Sequence, residues 1–287
     1  MSAQDSPRWE RVQANPTYWN GALEDSEGRR IRWHSPDNPR SSQVFCISAF
    51  GGLRRLPGGQ DILGALFRRH FPQLGLTGPW KVNLEHSDRT ILGETGRVMP
   101  TALDAFCRSE SGVVAIESKF IFDAMEGFGP CSQVSSKHCR GFYGPGSDLK
   151  TGTVANCRLE VPDGARGPRS YWQAGHAFFR DEVFAIQAAG EECPLRGSNF
   201  QIMRNVLFAA RSTSAEWAAL AIVPDVLGST VRKQATAFRQ GVLKPQHGGR
   251  LSVATYEELI ELLRLSASGE SQRLGTFLRD RINPCSP

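Results

Sequence analysis

The sequence lacks any apolar run long enough to span a membrane. A spanning helix needs about 20 apolar residues, and the 287 residues, 40% hydrophobic and 22% charged, contain no such run. The first residues, MSAQDSPRWERVQANP, also lack the apolar stretch of a secretory signal peptide. We therefore expect a globular protein of the cytoplasm, without a membrane partner.

Motifs of several common enzyme classes are missing as well. The chain has no G-x-G-x-x-G fingerprint, no G-x-x-x-x-G-K-[ST] phosphate loop and no G-x-S-x-G nucleophile elbow. An α/β enzyme acting on a small molecule therefore has no direct support. The net charge of +5 permits a polyanionic partner but does not require one.

The order of predicted elements indicates an α/β fold. Residues 43–50 are expected to form a short buried strand, and 50–60 a loop rich in Gly and Pro. Periodicity then predicts, in order, helix 61–71, strands 81–86, 101–107 and 113–120, helix 198–212, strand 216–224, helix 229–243, and a strand followed by a helix within 250–267. Candidate helix caps are Asp61 in the first helix and Ser198 or Asn199 in the second. The expected architecture is a mixed sheet covered by helices.

Two stretches fall outside this pattern. Residues 1–42 are polar with scattered tryptophans, and we expect them to form an N-terminal extension of a domain spanning 43–287. From about 123 to 197 the periodicity breaks down, and Gly, Pro and four of the seven cysteines accumulate. This second stretch is expected to be a loop-rich insertion.

One strand, VVAIESKF at 113–120, carries charge at its end. Side chains alternate along a strand, so Glu117 and Lys119 lie on one face, roughly 7 Å apart. A hairpin turn is predicted at RSESG, 108–112, and pairing across it allows Asp104 in TALDAF to lie beside Glu117. Two carboxylates and an amine are therefore expected to converge at one end of the strands.

Such a group suits the chemistry of a hard divalent cation. Mg²⁺ prefers carboxylate oxygens and keeps several waters. A bound metal acidifies a water and offsets charge on a phosphodiester, and a nearby Lys helps to orient or deprotonate that water. The alternative is an ion pair on an exposed strand end. The apolar run that leads into Glu117 favours a semi-buried charge, which is costly without a partner or a role.

The segments PTALDAF and VVAIESKF resemble the active-site hairpin of the PD-(D/E)XK nuclease superfamily. The resemblance implies a restriction-endonuclease-like αβββαβ core and a metal-dependent nuclease that acts on DNA. It implies Asp104 and Glu117 as ligands of Mg²⁺ or Mn²⁺, and Lys119 as the catalytic lysine. The first half-motif departs from the usual Pro-Asp, because three residues separate Pro100 from Asp104.

The same resemblance implies further site residues. Many members add an upstream acid, for which Glu85 is preferred and Glu94 is the alternative. Some place a Gln on the helix after the E-x-K strand, where this chain has Gln201. Arg204 follows on the same helix face and is a candidate phosphate-binding residue.

The cysteines of the insertion leave two interpretations open. Four of them are spaced C-x7-C-x17-C-x35-C: Cys131, Cys139, Cys157 and Cys193. No tight C-x₂₋₄-C pair is present, which zinc sites usually contain. Either the four bind Zn²⁺ or an iron–sulfur cluster, as in some nucleases of the superfamily, or they are unlinked thiols. If the carboxylates bind no metal, the alternative function is a non-catalytic nucleic-acid-binding protein on the same fold, stabilised by the cysteine-bound metal.

Overall fold

The fold is built on a mixed sheet of five strands, in the order β1-β2-β3-β4-β5. The computed structural model describes residues 41–94, 100–120, 127–131, 170–185 and 192–282. The strands are β1 (Lys81–Ser87), β2 (Ala102–Arg108), β3 (Gly112–Ser118), β4 (Glu216–Val223) and β5 (Leu251–Thr255). The first three pair antiparallel, and β3, β4 and β5 pair parallel. The predicted mixed sheet is therefore confirmed.

Helices cover both faces of this sheet. In chain order they are α1 (Ser42–Cys46), a π-helical turn (Ile47–Gly51), α2 (Gly52–Arg55), α3 (Gly59–His70), α4 (Tyr171–Gly175), α5 (Asp181–Ala185), α6 (Asn199–Arg211), α7 (Asp225–Gly241), α8 (Tyr256–Leu265) and α9 (Gly269–Ile282). One face packs against α1 to α3, α8 and α9, and the other against α4 to α7. A short 3₁₀ turn, Pro245–Arg250, precedes β5.

The central strands are buried on both faces, because helices lie above and below them. Every residue of β3 is buried, and in β4 every residue after Glu216 is buried. Such strands appear in sequence as continuous apolar runs rather than as alternating patterns. The predicted strands at 81–86, 101–107, 113–120 and 216–224 all form, with ends shifted by one or two residues.

Helix starts follow local capping chemistry. Thr255 and Glu258 form a reciprocal capping box at α8, where Thr255 accepts from the Glu258 backbone and Glu258 accepts from the Thr255 backbone. Helix α3 begins two residues before the predicted start, so Asp61 lies in its first turn and not at the cap. There its negative charge interacts favourably with the helix dipole. Ser198 is the N-cap residue of α6, although its side chain makes no capping hydrogen bond.

The predicted strand at 43–50 is wrong, because this segment is helical. It forms α1 and the π-helical turn, and α2 continues into the predicted loop as far as Arg55. All eight residues from 43 to 50 are buried, so no polar face reveals a helical period. A short apolar run of this kind does not distinguish a buried helix from a buried strand. Ser41 supplies the start signal of α1, because as the N-cap residue its hydroxyl accepts a hydrogen bond from the Val44 amide at 3.4 Å.

The predicted N-terminal extension and insertion lie mostly outside the described residues. Residues 1–40 of the expected N-terminal extension lie outside the described residues, as does most of the expected insertion. Within the described residues, none of the helices combines the length and the apolar character that a bilayer crossing requires.

Candidate active site

Three carboxylates fall in one row across β1, β2 and β3. Ala105 pairs with Ile116, so the next position of the antiparallel register sets Asp104 opposite Glu117. On the other side of β2, the pairs Leu84–Ala105 and His86–Leu103 place Glu85 opposite Asp104. Directly opposed residues on neighbouring strands have Cβ atoms about 4.5–5.5 Å apart. The hairpin predicted across 108–112 therefore brings Asp104 beside Glu117, as expected.

The Glu117 carboxylate is buried and held by three donors. Gln201 of α6 donates to Oε1 at 2.5 Å, and Asn205, one turn later, donates to Oε2 at 2.8 Å. The Lys119 ammonium lies 2.8 Å from Oε1. Since only 4% of Glu117 is exposed, these partners replace the water that an ionised carboxylate needs. Gln201 and Asn205 of the helix after the E-x-K strand thus both contact the central carboxylate.

Asp104 is held at one oxygen only. The Ser118 amide donates to its Oδ2 at 2.7 Å, which ties the end of β3 to β2. Oδ1 has no hydrogen-bond partner among the described residues. Burial raises the pKa of Asp104 well above its ordinary value, and the nearby charge of Glu117 raises it further. The site therefore holds a carboxylate that is costly to ionise without an added cation.

Lys119 is the cation of this cluster. Burial lowers its pKa, but the attraction of Glu117 and Asp104 outweighs burial, so the net pKa is raised. The side chain is 22% exposed and reaches the site from the residue after β3. Lys119 is therefore an ammonium donor at neutral pH.

Glu85 is placed by an unusual backbone conformation. Its φ of +48° lies in the left-handed region, which non-glycine residues seldom adopt. The turn in the chain reverses side-chain alternation: Leu84 packs into one core layer, whereas the His86 ring stacks on Phe106 of the other. Burial raises the pKa of Glu85 to about 7; a hydrogen bond with Gln43 opposes the shift, and the charge of Glu117 adds to it.

The raised pKa of Glu85 predicts a pH-dependent cost in the metal-free protein. A raised folded-state pKa favours the protonated acid, so the stabilising contribution is complete below about pH 4.5 and is lost as pH rises through about 7. Glu85→Gln mimics the neutral acid at every pH. In EDTA at pH 8 we expect it to raise the free energy of unfolding by up to about 3 kcal/mol, at roughly 1.4 kcal/mol per pKa unit.

Denaturant unfolding at pH 5 and pH 8 measures this effect. The matched control is Glu110→Gln, since Glu110 is exposed in the β2–β3 turn. An identical pH dependence of stability in wild type and Glu85→Gln would contradict the assigned environment of Glu85.

Glu94 lies outside the row of carboxylates. It is fully buried, and it accepts hydrogen bonds from the amide and the hydroxyl of Thr101 at 2.6 and 2.7 Å and from the hydroxyl of Tyr171. Arg204 joins the same network, since its Nε donates to the Thr101 hydroxyl at 3.0 Å and its guanidinium lies over the Phe200 ring. The structure therefore places Glu94 and Arg204 at the entry to β2, where both hold the backbone.

Glu94→Ala is expected to destabilise the fold because it leaves buried donors of Thr101 and Tyr171 without an acceptor. Each buried unsatisfied donor costs about 1–3 kcal/mol. We therefore expect a loss of at least about 2 kcal/mol in the free energy of unfolding, measured by denaturant titration. The exposed substitution Glu110→Ala should change stability by less than about 0.5 kcal/mol. A Glu94→Ala protein as stable as wild type would contradict this structural role.

A family comparison covers nearly the whole chain. The model of the family described as "Restriction Endonuclease associating with ARP" matches residues 9–281. The chain belongs to this family. Comparisons with curated proteins and with solved structures gave no match.

Membership of the restriction endonuclease family agrees with the resemblance drawn from the E-x-K hairpin. Residues 9–281 include the row of carboxylates and the helix that supports it. The family description suggests a nuclease, and the mixed sheet flanked by helices is compatible with a restriction-endonuclease-like fold.

The structure describes two of the four cysteines of the predicted metal site. Cys131 and Cys193 are partly buried and pack against the core layer that contains α6. Cys139 and Cys157 lie outside the described residues. In the part of the chain that the structure describes, no group of three or more His, Cys, Asp or Glu side chains is arranged to hold a metal. The four-cysteine metal site therefore stays a prediction for this member of the restriction endonuclease family.

Two site residues escaped the sequence prediction. Asn205 could have been found, because it lies four positions after Gln201 and is a polar residue on an otherwise apolar helix face. Gln43, the hydrogen-bond partner of Glu85, lies in the segment whose helical structure was missed. No local signal connects that segment to the carboxylates.

Proposed function

We propose that the protein is a metal-dependent nuclease that hydrolyses phosphodiester bonds in DNA. The observation that carries this proposal is the opposition of Asp104 and Glu117 on adjacent strands, with Lys119 paired to Glu117. Membership of a restriction endonuclease family supports the same reaction class. The order of helix, three strands, helix and strand around this hairpin agrees with the core of the PD-(D/E)XK superfamily.

The donor set fits Mg²⁺ or Mn²⁺. Asp104 and Glu117 supply hard carboxylate oxygens, and Oδ1 of Asp104 has no hydrogen-bond partner among the described residues. Burial and the repulsion between these acids raise the pKa of Asp104. A bound cation would therefore offset the free-energy cost of ionising Asp104. Two protein carboxylates suffice for Mg²⁺, which usually keeps several waters. When bound, the metal would acidify a water and offset negative charge on the scissile phosphodiester.

The chain's own groups have distinct parts in this proposal. Asp104 and Glu117 would hold the cation, and Gln201 keeps Glu117 oriented through its hydrogen bond. Lys119, as an ammonium, donates to the attacking water and to the phosphate oxygens, and so orients both. Glu85, with a pKa near 7, is suited to exchange a proton with water at the rim of the site.

Substrate and partners follow from the family and from charge. The family description names an endonuclease that associates with ARP, and we propose a DNA substrate and an association with ARP for this chain. A net charge of +5 permits contact with a polyanion. Arg204 as a phosphate contact, Zn²⁺ or an iron–sulfur cluster at the four cysteines, and a cytoplasmic location remain predictions.

A substrate panel tests the function. Purified protein is incubated with labelled duplex DNA, single-stranded DNA and RNA, each with Mg²⁺, Mn²⁺ or EDTA. We expect cleavage of DNA that requires the metal and stops in EDTA. DNA binding without cleavage under every metal condition would reject the nuclease and support the non-catalytic nucleic-acid-binding alternative.

A further inference from the structure

Residues 127–131 form a short strap that crosses α6 and α7 beside the candidate active site. The Gly129 amide donates to Oε1 of Gln201 at 2.6 Å, and the Phe128 amide donates to Oε1 of Gln234 at 3.1 Å. Gln201 lies on α6 and Gln234 on α7, so the strap is fixed to both helices. The Phe128 side chain is buried in the core layer beneath them.

The strap reaches the central carboxylate through one amide group. Gln201 accepts from Gly129 at Oε1 and donates from Nε2 to Oε1 of Glu117 at 2.5 Å. A backbone amide is only a donor, so it must face the oxygen of the Gln201 side chain. This contact fixes the orientation of the amide group, and the NH₂ end must then point to Glu117. Without the strap, the Gln201 amide group keeps its contact with Glu117 but loses the second contact, which fixes the position of its oxygen.

Packing around Glu117 involves the same strap. Phe128 lines a cavity of about 10 Å³ together with Glu117 and Asn205. That volume is at the lower limit for a single water molecule. Phe128 thus helps to leave room for at most a single water on the helix side of Glu117.

The anchor on α7 requires glycine at position 127. Gly127 has a φ of +125°, and a Cβ there would overlap the amide end of Gln234. Any larger residue therefore displaces either the strap or the Gln234 side chain. The close approach is what allows Gln234 to accept from the next residue along the chain.

We propose that Gln234 is a positioning residue for the nuclease site, acting through the 127–131 strap and Gln201 on Glu117. The inference rests on the proposed function, since it assigns Gln234 to the same site. Neither the E-x-K resemblance nor the family description points to Gln234. Loss of its acceptor frees the Phe128 amide, loosens Gly129 and leaves the Gln201 amide held by Glu117 alone.

The test compares Gln234→Ala with Gln234→Glu, which keeps an acceptor for the Phe128 amide. We expect Gln234→Ala to weaken Mn²⁺ binding and to lower kcat, each by roughly 10-fold, the lower end of the range for residues that support metal ligands. KM for DNA should stay near the wild-type value, and Gln234→Glu should restore most of the loss. Gly127→Ala should reproduce the Gln234→Ala defect.

Matched controls come from the same helix. Gln240 is exposed on α7, and a Cβ added to Gly241 meets nothing within 4 Å; Gln240→Ala and Gly241→Ala should behave as wild type. Combining Gln234→Ala with Gln201→Ala should add little to the Gln201→Ala loss, because both act on one pathway. Additive losses, or a Gln234→Ala enzyme with wild-type kcat and Mn²⁺ affinity, would overturn the inference.

Failure of the proposed function gives a different result. If wild type neither cuts DNA nor binds Mn²⁺, the nuclease proposal is rejected. The structural link from Gln234 to Gln201 is then tested by the hydrogen-exchange rate of the Gly129 amide. Faster exchange at Gly129 in Gln234→Ala, but not in Gln240→Ala, would support the link from Gln234 to Gln201. Unchanged exchange would overturn that link.

Discussion

Asp104→Asn is expected to abolish metal-dependent DNA cleavage while making the metal-free protein more stable. Asparagine keeps the shape of the side chain and an oxygen that accepts from the Ser118 amide, so the β2–β3 contact survives. It removes the charge that the cation needs and the repulsion with Glu117. We expect a loss in kcat of at least roughly 10²- to 10³-fold, the range for removing one electrostatic contact from a transition state.

The stability gain has a defined pH dependence. Because the folded-state pKa of Asp104 is raised by burial and by Glu117, its contribution to stability is lost as pH rises above the ordinary aspartate value near 4. Asp104→Asn should therefore melt at a higher temperature than wild type at pH 7 in EDTA, with the difference vanishing in strong acid. Saturating Mg²⁺ should reduce the difference, since it stabilises only wild type.

Asp280→Asn is the matched control, because Asp280 is exposed on α9. It should leave both cleavage and melting temperature unchanged. A destabilised Asp104→Asn protein would contradict the electrostatic environment assigned to Asp104, and one that still cuts DNA would contradict its role in holding the cation.

Lys119→Ala is the second large expected loss. It removes the ammonium that lies 2.8 Å from Glu117, and with it the donor that orients the attacking water and the phosphate. We expect kcat to fall by roughly 10²-fold or more, within the usual range for removing one donor that stabilises the transition state. Duplex DNA affinity, measured with Ca²⁺ in place of Mg²⁺, should change little, because a single cation contributes a small share of polyelectrolyte binding.

Stability separates this effect from simple unfolding. Removing Lys119 leaves Glu117 without its ion-pair partner, although Gln201 and Asn205 still donate to it. A modest fall in melting temperature is expected, and the assay is run well below it. Lys233→Ala on the exposed face of α7 is the control and should retain full activity. Equal rates of DNA cleavage by Lys119→Ala and Lys233→Ala would show that Lys119 has no part in the reaction.

Local sequence pattern was enough to predict most of the strands and the charged residues at one end of β2 and β3. Strand alternation placed Glu117 and Lys119 on one face, and the short turn at 108–112 placed Asp104 beside Glu117. These predictions succeed because they depend on period-two geometry and on a hairpin, both of which are local. The helix after the E-x-K strand was predictable for the same reason, since its apolar period is regular.

The failed strand prediction and the open choice of the upstream acid both depend on contacts distant in sequence. Segment 43–50 is buried on all sides, so its composition carries no period to distinguish helix from strand. Sequence preferred Glu85 but left Glu94 open, because the choice depends on a positive φ at Glu85 and on the Thr101 and Tyr171 partners of Glu94. Contacts of this kind form only when the whole sheet and its helices assemble.

The most direct measurement is cleavage of plasmid and single-stranded DNA by wild type, Asp104→Asn and Asp280→Asn side by side, in Mg²⁺, Mn²⁺ and EDTA. A metal-dependent nuclease site at Asp104 and Glu117 predicts cutting by wild type and Asp280→Asn with metal only, and none by Asp104→Asn. Cutting in EDTA, or equal cutting by Asp104→Asn, would contradict it.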